Sequence, residues 1–555
     1  MGAPERIWNH QQENRTRRLQ RAAGTLGADL AGKQCPAARI ADLMHAVLEP
    51  GDRVCLEGNN QKQADFLARA LAALDPARVN NLHMLQSVLA LPEHLDVFDK
   101  GIASRLDFSF SGPQAARLAR LASAGKLNIG AIHTYLELFG RYFIDLTPRV
   151  ALVAAQSADR YGNLYTGPNT EDTPAIVEAT AFRSGIVIAQ VNEVVDELPR
   201  IDIPADWVDF VVPAPTPHYI EPLFTRDPAQ ISEVQVLMAM MAIKGIYAEY
   251  QVERLNHGIG FDTAAIELLL PTYAASLGLK GKIASHWALN PHPALIPAIE
   301  AGFVQSVHSF GSELGMEDYI RARSDVFFVG PDGSMRSNRA FCQAAGHYAC
   351  DMFIGSTLQI DLQGNSSTAT LGRISGFGGA PNMGSDARGR RHVSPAWLKA
   401  GEQARAGSNR IPRGQKLVVQ MVETFREHMQ PAFVERLDAW QLAEQAGMAI
   451  PPVMIYGEDV THILTEEGIA NLLLCRSDEE REQAIRGVAG YTPVGLGRDK
   501  RMVENLRDRG VIRRAEDLGI DKRLASRDLL AAKTMKDLVR ASGGLYDPPK
   551  RFRNW

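Results

Sequence analysis

The turn Asp-x-x-Gly-Asn occurs twice, at Asp159–Asn163 and at Asp361–Asn365, each time just after an apolar run. A second landmark repeats at nearly the same offset. PGDRVCLEGNNQKQADFLARAL (50–71) is a buried-strand pattern, a glycine turn and a helix, and LNHGIGFDTAAIELLL (255–270) is again a glycine turn entering a helix. Gly58 and Gly258 stand 200 positions apart, and Asp159 and Asp361 stand 202 apart. Two features at one offset point to a duplicated domain. Two ordinary α/β units with similar turns would leave the same letters. At 555 residues the chain exceeds one hydrophobic core, which agrees with two to four domains.

Between the landmarks, short apolar runs alternate with helical patterns. VALVAAQ (150–156), GIVIAQVNEV (185–194) and WVDFVVPA (207–214) read as strands buried on both faces. FLARALAAL (66–74), SEVQVLMAMMAIKGIY (232–247) and TAAIELLLPTYAASLGL (263–279) read as helices. This alternation predicts an α/β fold with mostly parallel sheets. The expected organisation is an N-terminal arm or helix over 1–40, a first domain over 41–225, a second over 226–496 and a short helical tail over 497–555. The Pro-rich stretch 211–224 reads as the link between the halves.

Several function classes are disfavoured. A net charge of −4 lacks the basic excess of a nucleic-acid binder. Five scattered cysteines without C-x-x-C give neither a zinc ribbon nor a disulfide framework, which fits a cytoplasmic protein. No apolar run reaches the roughly 18–20 residues of a membrane span. The polar N-terminus is not a secretory signal.

The candidate chemistry lies in the glycine turns and a few polar clusters. Strand–glycine turn–helix brings backbone N–H groups toward an anion, or simply makes a tight turn. Gly58-Asn59-Asn60-Gln61 and His257-Gly258-Ile259-Gly260 both have this form. The second lacks the third glycine of the dinucleotide fingerprint, and the chain has no P-loop motif. SGFGGAPNMG (375–384) packs four glycines into ten residues, so Gly376, Gly378 and Gly379 are candidates for close approach to a ligand or for an ordinary surface loop. Arg388, Arg390 and Arg391 follow, as phosphate contacts or a solvated loop. IASHWALNPHPAL (283–295) offers His286, Asn290 and His292 for carboxylate binding or proton movement, with exposed or satisfied histidines as the plain alternative. In SVHSFGSELGM (306–316), Glu313 reads as a nucleophile or base, or as part of a helix start with Ser312. Glu171 and Asp172 in NTEDTP read as a capping loop.

Taken together, these motifs resemble family I CoA-transferases, with the two subunit types fused in one chain. The shared pattern is Asp159-Arg160-x-Gly162-Asn163-Leu164, then Asn256-x-Gly258-Ile259-Gly260, then Leu358-Gln359-x-Asp361 with Gly364-Asn365, then Gly376-x-Gly378-Gly379-Ala380, over roughly residues 40–480. Within that superfamily the chain resembles the malonate decarboxylase alpha subunits along nearly its full length. That resemblance implies two tandem CoA-transferase-like domains. It implies exchange of acetyl for malonyl on an acyl-carrier-protein thiol, with release of acetate. It further implies decarboxylase subunits as partners and a phosphoribosyl-dephospho-CoA arm on the carrier, with no cofactor or metal bound by this chain. The alternatives are a CoA-transferase or citrate lyase alpha-type subunit acting on other acids, and a non-catalytic scaffold for the carrier.

One departure from the superfamily matters. Family I transferases carry a nucleophilic Glu in an S-E-N-G turn, one strand after the G-I-G helix. Here the corresponding strand-turn is IASHWALNPHP, which has no Glu; Ser312-Glu313-Leu314-Gly315 fits the letters but comes late. A mixed anhydride formed directly from malonate is therefore expected. The expected catalytic residues are Asn59, Asn60, Gln61, Asn290 and His292; Gly58, Gly258, Gly260, Gly376, Gly378, Gly379, Arg388 and Arg390 are expected to hold the substrate or the carrier's arm.

Overall fold

The structure, a computed structural model, describes residues 7–59, 62–309, 311–331, 334–335, 339–385, 399 and 416–555. Asn60, Gln61, Arg388, Arg390 and Arg391 lie outside the described residues.

Each half is built on one eight-stranded sheet. The first contains β1 (Arg53–Leu56), β2 (Leu82–Val88), β3 (Ala103–Phe110), β4 (Asn128–Ile132), β5 (Val150–Asp159), β6 (Leu164–Tyr165), β7 (Ile186–Val195) and β8 (Phe210–Pro213). Their order is β4-β3-β2-β1-β5-β7-β8, all parallel, with β6 antiparallel beside β5. The second half opens with β9 (Arg254–His257), β10 (His286–Ala288), β11 (Ser306–His308) and β12 (Met352–Ser356). Two small ribbons follow, β13 (Gln359–Ile360) with β14 (Ser366–Ser367) and β15 (Ala369–Thr370) with β16 (Arg373–Ile374). Next come β17 (Leu417–Met421), a third ribbon of β18 (Phe425–Arg426) with β19 (Gln430–Pro431), then β20 (His462–Thr465), β21 (Gly468–Asn471) and β22 (Ile512–Arg513). The second sheet runs β11-β10-β9-β12-β17-β20-β21-β22, parallel as far as β20. Its last two strands pair antiparallel, and β22 comes from the tail, which adds this edge strand to its helices.

The two sheets repeat one plan. In each half the first strand is central, flanked by the next strand on one side and by a later crossover strand on the other: β2 and β5 around β1, β10 and β12 around β9. Helices cover both faces, which is why β5 is buried along nearly its whole length. The helix Glu233–Ala242 shows how local sequence sets these elements. Ser232 accepts from the Gln235 N–H while the Gln235 side chain accepts from the Ser232 N–H, a reciprocal cap that fixes the helix start.

The duplicated turn is a structural clip. Asp159 Oδ1 accepts from the N–H of Tyr161 and Asn163, both at 2.9 Å, and Asn163 Nδ2 donates to Asp159 Oδ2 at 2.7 Å. Asp361 repeats this with Gln363 (3.0 Å), Asn365 (2.9 Å) and the Asn365 amide (3.0 Å). Gly162 and Gly364 hold φ of +93° and +82°, the left-handed region that glycine enters without strain. Asn163 Oδ1 and Asn365 Oδ1 then accept from Ala205 N (2.7 Å) and Gly457 N (2.8 Å), which ties each clip to a distant loop of its own half.

The glycine-rich loop forms the seam between halves. Ser111 N–H donates to Ser375 O at 2.9 Å, while Phe377 and Gly378 N–H both donate to Ser109 O at 2.6 and 2.9 Å. Tyr135 N–H donates to Gly378 O at 3.1 Å. A Cβ on Gly376 would stand 2.5 Å from Ser109 O, so only glycine lets the two backbones meet. At the ends of the chain, Arg18 clips the N-terminal helix Ile7–Leu26 to Asp52 at 2.5 Å, and Arg551 of the tail reaches Glu221 at 2.6 Å.

Candidate functional site between the two halves

A cavity of about 190 Å³ opens where the halves face each other. The first half and the link contribute Phe110, Tyr135, Leu223, Phe224 and Arg226. The second half contributes the carboxyl ends of its central strands: Asn256 to Ile259 after β9, Leu289 and Asn290 after β10, and Gly355 and Ser356 at β12. The seam glycines Gly376, Gly378 and Gly379 complete the wall. Ligand sites of open parallel sheets fall at this end of the strands. A wider cavity of about 440 Å³ shares Phe110, Arg226, Ser356, Thr368 and Ser375 with the first, and adds Arg373 and Arg551.

The inner wall is mostly apolar with few polar groups, as in small-ligand sites. Arg226 is the one Lys or Arg among the described residues that line it. Its Nη1 donates to Leu223 O at 2.8 Å and its guanidinium stacks over Phe261 at 5.6 Å. It forms no ion pair among the described residues. Burial pulls the guanidinium pKa down and the nearby Glu313 charge opposes that. Asn290 is 6 % exposed, and its Oδ1 has no hydrogen-bond partner among the described residues.

A buried chain of titratable groups starts at His257 on this wall and runs behind it. His257 Nδ1 stands 2.8 Å from Glu267 Oε1, and His292 Nε2 stands 2.6 Å from Glu267 Oε2. His257 Nε2 meets the Tyr247 hydroxyl, and the His257 ring packs edge-on against Trp287 with centroids 4.5 Å apart. Burial alone raises the Glu267 pKa, but the His292 charge and hydrogen bonds from both rings hold it at about 2. Burial depresses both histidines. For His257 it prevails, whereas for His292 the Glu267 carboxylate more than reverses it.

The expected site residues separate into two groups. Gly258, Asn290, Gly376, Gly378 and Gly379 meet at the cavity. Gly58, Asn59, Gly260 and His292 do not line it. Gly58 is glycine because a Cβ would stand 2.5 Å from Val88 O. Asn59 is fully buried, and its Oδ1 accepts from Lys62 N at 2.8 Å, which braces its own turn. Gly260 caps the helix Phe261–Leu269 in extended conformation beside Ser356. Both ring nitrogens of His292 are occupied, Nε2 by Glu267 and Nδ1 by Asn290 O. The N–H groups of Phe377 and Gly378 are committed to Ser109 O, which removes them from the donors expected of the glycine loop.

Glu313 is neither helix cap nor cavity wall. The next helix begins at Glu317, and Glu313 is fully buried, accepting from Phe224 N–H and Thr225 Oγ1, each at 3.0 Å. Burial pushes it up to about 7, against the pull of those donors, Arg226 and His292. The strand-turn after the Gly258–Gly260 helix is β10 followed by Leu289 and Asn290, and it brings the Asn290 amide to the cavity.

Sequence reading missed Arg226 and the partners of Glu171 and Asp172. Those two carboxylates do not cap a helix by their side chains; they pair with the buried Arg339, whose Nη2 meets Glu171 and whose Nε stands 3.1 Å from Asp172. Arg339 also stacks over Tyr135, a cavity residue, at 4.5 Å. The contact spans 168 positions, so no local motif announces it.

Two tandem, mostly parallel sheets with a cleft at their carboxyl strand ends define a two-sheet α/β protein. A citrate lyase alpha subunit from Streptococcus mutans shares this fold, with a TM-score of 0.56 and 15% identity over 93% of this chain and 86% of that one. The sequence profile described as "Malonate decarboxylase, alpha subunit, transporter" matches residues 7–555, so the chain belongs to the malonate decarboxylase alpha subunit family. An acetyl-S-ACP:malonate ACP transferase from Malonomonas rubra is 62% identical over 99% of this chain and all of its own length. A chain solved in a Pseudomonas malonate decarboxylase hetero-tetramer in complex with malonate is 60% identical, covers 100% of both chains and superposes with a TM-score of 0.93. No helix among the described residues is long and apolar enough to cross a membrane.

Proposed function

We propose that this protein transfers its acyl-carrier partner from acetate to malonate: acetyl-S-carrier plus malonate gives malonyl-S-carrier plus acetate. The observation that carries this reading is the inner cavity, where Arg226, a cation with no ion pair among the described residues, and Asn290, whose amide carries Nδ2–H donors, line a mostly apolar wall. A small dicarboxylate needs that combination, and the full-length likeness to an acetyl-S-ACP:malonate ACP transferase supports it.

In this reading Arg226 holds one malonate carboxylate and Asn290 the other end. A malonate oxygen attacks the acetyl thioester carbonyl. The C–S bond breaks and a mixed anhydride and a thiolate form. The thiolate then attacks the malonyl carbonyl, a new C–S bond forms, and acetate leaves with the oxygen that malonate contributed. No enzyme nucleophile is needed; the protein supplies orientation, fixed dipoles and exclusion of water. The wider cavity receives the carrier's phosphoribosyl-dephospho-CoA arm, with Arg373 and Arg551 near its phosphates. Decarboxylase subunits then act on malonyl carrier and regenerate acetyl carrier.

The test mixes the full chain with acetyl-loaded carrier protein and labelled malonate and weighs the carrier. Malonyl carrier with one acetate released per exchange is expected. Carrier that stays acetylated, while acetyl-CoA exchanges with free acids, would make the chain an ordinary CoA-transferase.

A further inference from the structure

His292 is held between two acceptors. Its Nε2 is 2.6 Å from Glu267 Oε2 and its Nδ1 is 2.9 Å from the Asn290 carbonyl oxygen. A carboxylate and a backbone carbonyl have no proton to give, and a neutral imidazole carries only one N–H. Both contacts together therefore require the imidazolium. His257 is placed differently. Its Nδ1 faces Glu267 Oε1, but its Nε2 faces the Tyr247 hydroxyl, which can donate. A neutral ring protonated on Nδ1 satisfies both. Glu267 thus accepts from one imidazolium and one imidazole, and its charge is balanced without solvent.

The carbonyl that His292 grips belongs to Asn290, the residue that brings an amide to the cavity just beyond β10. We propose that Glu267 and His292 are positioning residues for Asn290: the imidazolium clamps the Asn290 carbonyl, fixes the turn, and so aims the Asn290 amide at the bound carboxylate. This rests on the reading of the cavity as the transfer site. When His292 loses its proton it must release one acceptor, because a ring lone pair then faces an oxygen lone pair. The turn loosens, and transfer falls on the alkaline side. The charged groups that set this titration are Glu267, which raises it, and Arg226, which lowers it, with His257 behind the shared carboxylate and Glu313 on the far side.

The experiment is the pH profile of kcat/KM for malonate, measured with the full chain and acetyl-loaded carrier, for wild type, Glu267→Gln, Asn290→Ala and the double variant. Wild type should keep its plateau above the ordinary histidine range near pH ~6.5. Glu267→Gln should move the alkaline limb down by at least one pH unit, with at least tenfold loss at pH 8 and a smaller loss at pH 6. Asn290→Ala should lower the whole profile, and adding Glu267→Gln to it should cost less than threefold more, since coupled residues are not additive. Melting curves at each pH check that the variants are folded. If Glu267→Gln is not, Glu267→Asp, which keeps the charge but shortens the reach, should show the same downward shift. A wild type that transfers, with an unmoved limb in the Glu267 variant or losses that multiply in the double variant, overturns this inference alone. A wild type that transfers at no pH overturns the functional reading and this inference with it.

Discussion

At the carboxyl end of β1, Glu57 accepts from Ala154 N–H at 2.8 Å and from Thr173 Oγ1 at 2.5 Å, with Lys62 Nζ at 3.6 Å. At the equivalent end of β9, His257 lines the cavity and leans on Glu267. The two turns occupy one position in one repeated plan, yet among the described residues the first packs against its own half and the second lines the cleft. Gly58 is wedged against Val88 O, whereas Gly258 lets β9 pass Gly355 and leaves its surface free. A duplicated frame thus supplied two helix-starting glycine turns; one braces the fold and the other walls the site. In the repeated Asp-x-x-Gly-Asn clip, by contrast, both copies do the same structural work.

This contrast can be broken most sharply at Arg226. Arg226→Met should lower kcat/KM for malonate about 100-fold, since losing one partner of a buried charge contact costs ~3 kcal/mol. Exchange of acetyl carrier with labelled acetate should fall far less. Equal losses for both acids would remove Arg226 from malonate recognition.

The glycines give the next largest effect. Gly258→Ala puts a Cβ 2.9 Å from Gly355 Cα at the cavity wall, and transfer should drop about tenfold with a modest change in melting. Gly58→Ala puts a Cβ 2.5 Å from Val88 O within the brace, so the melting temperature should fall by several degrees while transfer per folded chain stays within about threefold. The reverse pattern would exchange the roles of the two turns. Asn59→Ala should behave like Gly58→Ala, costing about 1–2 kcal/mol of stability through the lost turn hydrogen bond, with transfer nearly unchanged.

Acid unfolding separates the two buried glutamates. Glu267 is held at about 2 in the fold, below its unfolded value near pH ~4.3. Its contribution is therefore complete above that unfolded value and is lost as pH falls toward 2. Glu267→Gln should flatten the acid limb of stability between pH 5 and pH 2, by up to about 1.4 kcal/mol per pH unit for one proton. Glu57 shifts the other way, because burial outweighs Lys62 and its hydrogen-bond donors. Its ionised form is disfavoured in the fold and costs stability as pH rises through its unfolded value, so Glu57→Gln should make stability rise more steeply with pH above about 4.3, the opposite of Glu267→Gln. Chemical denaturation at each pH reads both.

The frame was legible because it is written in local patterns. The apolar runs at 150–156 and 185–194 became β5 and β7, and the helical patterns at 66–74 and 232–247 became helices. Gly258, Asn290 and the glycine loop, which meet at the cavity, stood out through local signals: glycine density and a polar residue at a strand end. Asn59 carries the same kind of local signal, a polar residue beside a helix-starting glycine, but the cavity lies elsewhere and its Oδ1 accepts from Lys62 N–H. Arg226 stands just after the Pro-rich link with no motif around it, and the Arg339 pairing joins residues far apart in the chain. His292 was recognised as a residue of interest, but its two acceptors became visible only when Glu267 and the Asn290 carbonyl were placed around it.

In the proposed mechanism malonate itself, held at this cavity, attacks the thioester without an enzyme nucleophile. One turnover with malonate labelled by oxygen-18 in its carboxylates, acetyl-loaded carrier and excess enzyme, with the released acetate weighed, reads this step. The acetate should carry one oxygen-18. Unlabelled acetate from that first turnover, with the label recovered in the Glu313 carboxyl group, would contradict it.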